Sequence, residues 1–141
     1  MRTNISTYNH YLAVLNNLQT ITNFEVGDGE RPKDVTGAFL DPPYAVLFLI
    51  SGGDMEGPIS DSQADITLRF QITAVGQSPK EAIVVQDYCA AKMHKSNLSI
   101  SGRKVRNLTK VLASNGVRRD DDVPTPVFYC FQQWDLDTTP A

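Results

Sequence analysis

Apolar and polar residues alternate without a break from Ala64 to Thr73. Ala64, Ile66, Leu68, Phe70, Ile72 and Ala74 point one way and Asp65, Thr67, Arg69, Gln71 and Thr73 the other. This is the two-residue period of a strand with one covered and one polar face, and a strand over 64–75 is predicted. Gly76 ends it. The text then reads Ser78-Pro79-Lys80-Glu81, with a serine N-cap, proline at the first helical position and a glutamate three residues after the cap, the arrangement of a capping box. A helix over 79–94 follows. Its apolar stripe is Ala82, Val85, Cys89 and Met93, joined by Ile83 and Ala90, and Lys92, His94 and Lys95 lie in or just after the last turn, where positive charge suits the helix dipole.

Further periodicities run through the rest of the chain. Ile5, Tyr8, Leu12 and Leu15, with Tyr11 and Leu18 beside them and Asn9, Asn16 and Asn17 opposite, predict an amphipathic helix. From Asn23 to Pro43, glycine, proline and aspartate punctuate short apolar pieces, which reads as a short strand and a loop. The run "YAVLFLIS", residues 44–51, is continuously apolar and stops at Gly52-Gly53. It predicts a strand buried on both faces and central in a sheet. Two further strands, 103–112 and 126–134, are predicted as a long hairpin around the polar loop "NGVRRDDDVPTP", with residues 135–141 as a frayed tail. The expected fold is a single α+β domain over 1–141. Its mainly antiparallel sheet has about five strands with the helices on one side, in the order α-β-β-β-α-β-β.

Charge adds something the pattern lacks. The net value of −3 conceals a segment, Tyr88 to Arg119, that holds eight basic residues and no acid, while the remainder carries five basic and all sixteen acidic residues. The chain is therefore +8 in one segment and −11 elsewhere. Such a molecule can draw copies of itself together head to tail or lay a basic face on nucleic acid, or folding can interleave the two signs on one surface. No Phe, Trp or further Tyr lies between Tyr88 and Arg119 to stack on bases. Weak phosphate contact is compatible with that segment and base-specific reading is not.

The inventory for catalysis is poor. Cys89 and His94 stand five apart on one predicted helix, about 140° apart around its axis, and cannot form a dyad there. Cys89 falls on an apolar stripe and Cys130 in an aromatic strand, so both read as buried structural thiols. No Cys-x-x-Cys, His-Glu-x-x-His, Gly-x-Ser-x-Gly or phosphate-loop pattern occurs. Asp120, Asp121 and Asp122 are consecutive and sit beside Arg118-Arg119, which suits a solvated loop better than a cation site. The expectation is a protein without catalytic residues, metal or cofactor. No apolar run is long enough to span a bilayer, and the first residues lack the apolar core of a secretory signal, so a reducing compartment is expected and the three Asn-x-Ser/Thr triplets read as chance.

The block from Pro42 to Met93, "PPYAVLFLISGGDMEGPISDSQADITLRFQITAVGQSPKEAIVVQDYCAAKM", resembles the tail terminator proteins of long-tailed bacteriophages. The shared layout is an N-terminal helix, an apolar strand, a turn rich in Gly, Pro and acids, a strand of the form "FQITAVG", and a helix opened by a small residue or proline. The resemblance implies a ring-forming virion protein, usually hexameric, that caps the head-proximal end of the tail tube after assembly in the host cytoplasm. Its implied partners are copies of itself, the tail tube protein and a head–tail connector or head-completion protein. DNA would pass through the lumen without sequence-specific binding, and no membrane is involved. Head-closure and head–tail joining proteins are similar in size and role and remain the alternative; a basic nucleic-acid-binding accessory domain is a further one. Rings are built from unlike surfaces that meet, and the charge map nominates Asp54, Met55, Glu56 and Ile59 of the turn at 52–62, together with Arg103, Lys104 and Arg106 of the basic strand, as the interface.

Overall fold

A computed structural model describes residues 7–55, 65–114, 116–123 and 125–140. Among the described residues, two helices, α1 (Thr7–Leu18) and α2 (Pro79–His94), accompany six strands: β1 (Glu25–Asp28), β2 (Tyr44–Met55), β3 (Ile66–Gly76), β4 (Arg103–Ala113), β5 (Arg118–Asp120) and β6 (Val127–Pro140). The sheet order is β1-β2-β3-β6-β4, with β5 also on β6. Among the described residues, only β1 and β2 pair in parallel. The α+β class, the mainly antiparallel sheet and the helices on one side agree with the sequence pattern.

Ala64, where the predicted strand starts, lies outside the described residues, and from Ile66 the alternation of β3 is realised residue by residue. Ile66, Leu68, Phe70, Ile72 and Ala74 are buried, and they meet Ala82, Val85, Cys89 and Met93 of α2 and Tyr11, Val14, Leu15 and Leu18 of α1 in one core. β6, beside β3 in the sheet, adds Cys130, Trp134 and Leu136 to the same face. The cap of α2 forms as its sequence dictates: the Ser78 hydroxyl accepts from the Glu81 amide at 3.1 Å, and the Glu81 carboxylate accepts from the Gln77 amide at 2.9 Å. Gly76 allows β3 to hand over to this helix, since a Cβ there would lie 2.5 Å from the Ala82 nitrogen. A second, small cluster of Tyr44, Val46 and Val75 forms on the opposite face of the sheet, with Phe48, Val127 and Tyr129 packed against it.

Five expectations need correction. The buried stripe of α1 is Tyr11, Val14, Leu15 and Leu18 with His10, whereas Tyr8 is 62% exposed. The helix is rotated because the polar tips of this stripe have partners inside: the Tyr11 hydroxyl donates to Asp28 and, at 3.1 Å, to the Leu47 carbonyl, and His10 Nε2 shares a 2.8 Å hydrogen bond with Thr138 Oγ1. Ile83, assigned to the core stripe of α2, is exposed. Residues 135–140 are not frayed, because β6 continues to Pro140 between β3 and β4 and buries Leu136 and Thr138. The polar loop after β4 contains β5, which pairs with β6 next to the β4 segment and so prolongs the same edge. Finally, β2 is longer than predicted and its apolar run is buried only in its first half, Tyr44 to Leu47.

Candidate interaction surface

Both helices lie against the face of the sheet formed by the even-numbered residues of β3 and β6, and among the described residues no helix covers the other face. That open face carries a ladder of polar pairs across β3 and β6. Thr67 Oγ1 donates to Asp137 at 2.7 Å, Arg69 grips Asp135 through two bonds of 2.8 and 3.0 Å, and Gln133 Nε2 donates to Gln71 Oε1 at 3.1 Å. Each pair joins residues directly opposite in register. The members are half-buried apart from the exposed Arg69, and the pairs are satisfied within the chain, where they fix register and side-chain order.

On the covered face, the polar groups are arranged in short relays. Gln132 is fully buried, donates to the Gln86 carbonyl at 3.1 Å and accepts from Trp134 Nε1 at 2.9 Å. Nothing in the one-dimensional pattern marks Gln132, except that it stands at a position whose neighbours two residues away are buried. Cys89 and Cys130 are buried, and burial pushes their thiols up to about 12 and about 11. They are held as neutral thiols at neutral pH, the state expected of structural rather than reactive cysteines. Among the described residues, no group of three His, Cys, Asp or Glu side chains is placed to hold a metal ion. Asp121 pairs with Arg119 at 2.6 Å, and Asp120 accepts from the Asp122 amide at 3.0 Å.

The residues nominated as an interface are placed unevenly. Glu56 and Ile59 lie outside the described residues, and Asp54 and Met55 are placed by backbone register alone, opposite Thr67 and Ile66. Arg103, Lys104 and Arg106 all belong to β4, the outermost strand. Arg103 is half-buried and donates to the Thr138 carbonyl at 3.1 Å and hydroxyl at 3.3 Å; burial holds its pKa below the ordinary value. Arg106 lies 3.9 Å from Asp65 of the same chain. Lys104 is exposed. Part of the complementarity between acidic and basic segments is thus used within the chain, and Lys104 is the outward member of the trio.

No protein-family model matches the chain, and no curated protein matches it in sequence. Among solved structures, it is similar to a chain from the virion of a native gene transfer agent particle, with a TM-score of 0.61 and 15% identity over 91% of this chain and 92% of that one. At this identity the likeness is one of fold, and it covers about nine-tenths of both chains.

Proposed function

We propose that this protein is a structural component of a phage-type virion that forms a ring on the head-proximal end of the tail tube, ends tube growth and allows the head to join. The observation that carries this reading is the fold shared with a chain of the gene transfer agent virion over nine-tenths of both chains. A tube of stacked identical rings exposes at its growing end the surface that receives the next ring. Growth stops reliably when a different ring occupies that end, with one face matched to the tube and one that tube protein cannot bind.

The partners in this reading are further copies of the chain, hexameric by the resemblance, the tail tube protein and a head–tail connector or head-completion protein. The protein works in the virion, at the top of the tail, by occupying a position rather than by chemistry. DNA must cross the ring, so strong phosphate attraction in the lumen would oppose its passage. Much of the +8 segment is therefore turned to neighbouring subunits or ring faces. Deleting the gene from its phage or particle should leave DNA-filled heads beside overlong, unattached tails, seen by electron microscopy. Normal-length tails joined to heads would reject the reading, and normal-length tails left unjoined would replace it with a head-joining role.

A further inference from the structure

The chain is apolar without a break from Tyr44 to Ile50, yet burial stops at Leu47. Leu49 is 37% and Ile50 49% exposed. Beside them an open groove of about 410 Å³ is lined by Thr7, Tyr8, Tyr11, Gly29, Phe48 and Leu49. The cause is the shortness of β1, whose last residue, Asp28, pairs with Leu47. Among the described residues, no strand pairs with that side of β2 from Phe48 onwards. Unpaired backbone beside exposed aliphatic side chains is a template for an added strand.

The opposite end of the sheet has a second open edge. β4 pairs with β6 on one side, and among the described residues no strand pairs with the other. Val111 and Leu112 are 42% and 49% exposed there. The strand also carries Arg103, Lys104, Arg106 and Lys110 and no acid.

We propose that the free edge of β2, from Phe48 onwards, pairs antiparallel with β4 of a second copy of this chain, so that one sheet continues into the next. The proposal rests on the ring reading above and names the surfaces that would build the ring. Three observations select this occupant. β2 and β4 run in opposite directions within one subunit, because three antiparallel pairings separate them, so a rotated copy presents β4 to β2 in the antiparallel sense. Exposed apolar residues stand on both edges. Charge supplies the third reason: two β4 edges brought together would set basic residues against basic residues, which cross-strand pairing penalises, whereas β2 has no basic residue and leads to Asp54. β4 thus repels its like and accepts β2. The contact is heterologous and closes into a ring when the rotation between copies closes.

The test uses the full chain. Leu49→Cys and Val111→Cys are prepared separately and treated, alone and mixed, with a short thiol–thiol cross-linker at assembling concentration. Residues facing each other across an antiparallel pair bring their Cβ atoms to about 5 Å, within its reach. The native thiols are buried and raised to about 12 and about 11, so they stay silent at neutral pH. The mixture should give cross-linked dimers that neither variant gives alone, and the double variant should give a ladder of higher multiples. Backbone groups alternate sides along a strand, and the Leu47 carbonyl, which accepts from the Gly29 amide, points away from β3, so the Leu49 amide lies on the free edge and its exchange should slow at least tenfold on assembly of the unmodified protein. Dimers from Val111→Cys alone would overturn the proposal in favour of a like-with-like β4 contact. Slow exchange of the Leu49 amide in the dilute monomer, lost on deleting residues 1–6, would overturn it in favour of the chain's own N-terminus. An assembled oligomer with neither cross-link nor protection rejects the edge pairing and leaves the ring standing; a protein monomeric at every concentration rejects both.

Discussion

The two edges of this sheet meet water differently although the same central strands support them. β4 carries four basic residues in eleven, and its ladder with β6 is interrupted between Val105 and Asn107 and again between Lys110 and Leu112. Charges and bulges of this kind blunt an edge against casual pairing. β2 is also irregular, between Leu49 and Ser51 and before Asp54, but it is uncharged until Asp54 and leaves Leu49 and Ile50 in solvent. The contrast teaches that guarding an edge is selective. Lysine and arginine exclude a second basic strand while leaving the edge open to a neutral or acidic one.

The most damaging way to break the comparison is to remove what both edges hang on. Phe70→Asp places a carboxylate among wholly apolar neighbours in the middle of β3, at a cost of several kcal/mol, about the whole stability of a small domain. Chemical denaturation and circular dichroism should find the variant unfolded, with both edges lost together. Ser78→Ala is milder. It removes the acceptor for the Glu81 amide and should lower stability by about 1 kcal/mol while leaving the choice of edge partner unchanged.

Smaller changes sharpen the comparison without disturbing the fold. Ile50→Lys and Ile50→Glu should each alter stability by less than about 0.5 kcal/mol, as surface substitutions do. Their effects on assembly should differ in sign: lysine there meets the basic β4 of a neighbour and weakens the oligomer, whereas glutamate weakens it less or strengthens it, as read by sedimentation. Equal weakening by both would mean that β2 does not face β4. Lys104→Glu with Arg106→Glu should hinder assembly modestly in a folded monomer, by about 0.2–1 kcal/mol per exposed pair, and added salt should reduce the difference.

The last effect appears only at alkaline pH. Burial raises the Cys89 thiol from 9.0 to about 12, so the folded state favours its neutral form. Its contribution is fully present below pH 9 and is lost as pH rises through about 12. Cys89→Ala should therefore show a shallower alkaline loss of stability than the parent chain, together with a small loss at neutral pH. An identical alkaline slope would place the titrating group elsewhere.

How much of this was legible in the sequence depends on how local each cause was. The start of α2 lies within four residues, and Ser78, Pro79 and Glu81 gave both its position and its cap. The alternation of β3 marked its buried face because one face meets the helices while the other holds polar partners on β6. The tail was misread because Asp135, Asp137 and Thr139 look like solvent, and only their partners, Arg69 and Thr67 on β3 and the paired β4, make a strand of them. The rotation of α1 was equally hidden, since His10 and Tyr11 are placed by hydrogen-bond partners 128 and 17 residues away. As for the candidate surface, the basic strand was visible as charge, but the bare side of β2 was not. An apolar run signals burial without saying whether its own chain or another provides it.

The order of the sheet has a consequence for handed assembly. From β2 to β4 there are four strands, β2, β3, β6 and β4, each antiparallel to the next. An even count makes the two edges run in opposite senses, so copies joined edge to edge by antiparallel pairing all point the same way. An odd count would require either parallel pairing or turning every second copy over. Copies turned over would give a ring whose top and bottom are alike, able to receive the same protein on both. Parity of the strands thus gives such a ring an up and a down, a polarity suited to a part that must hold a tube below and a head above.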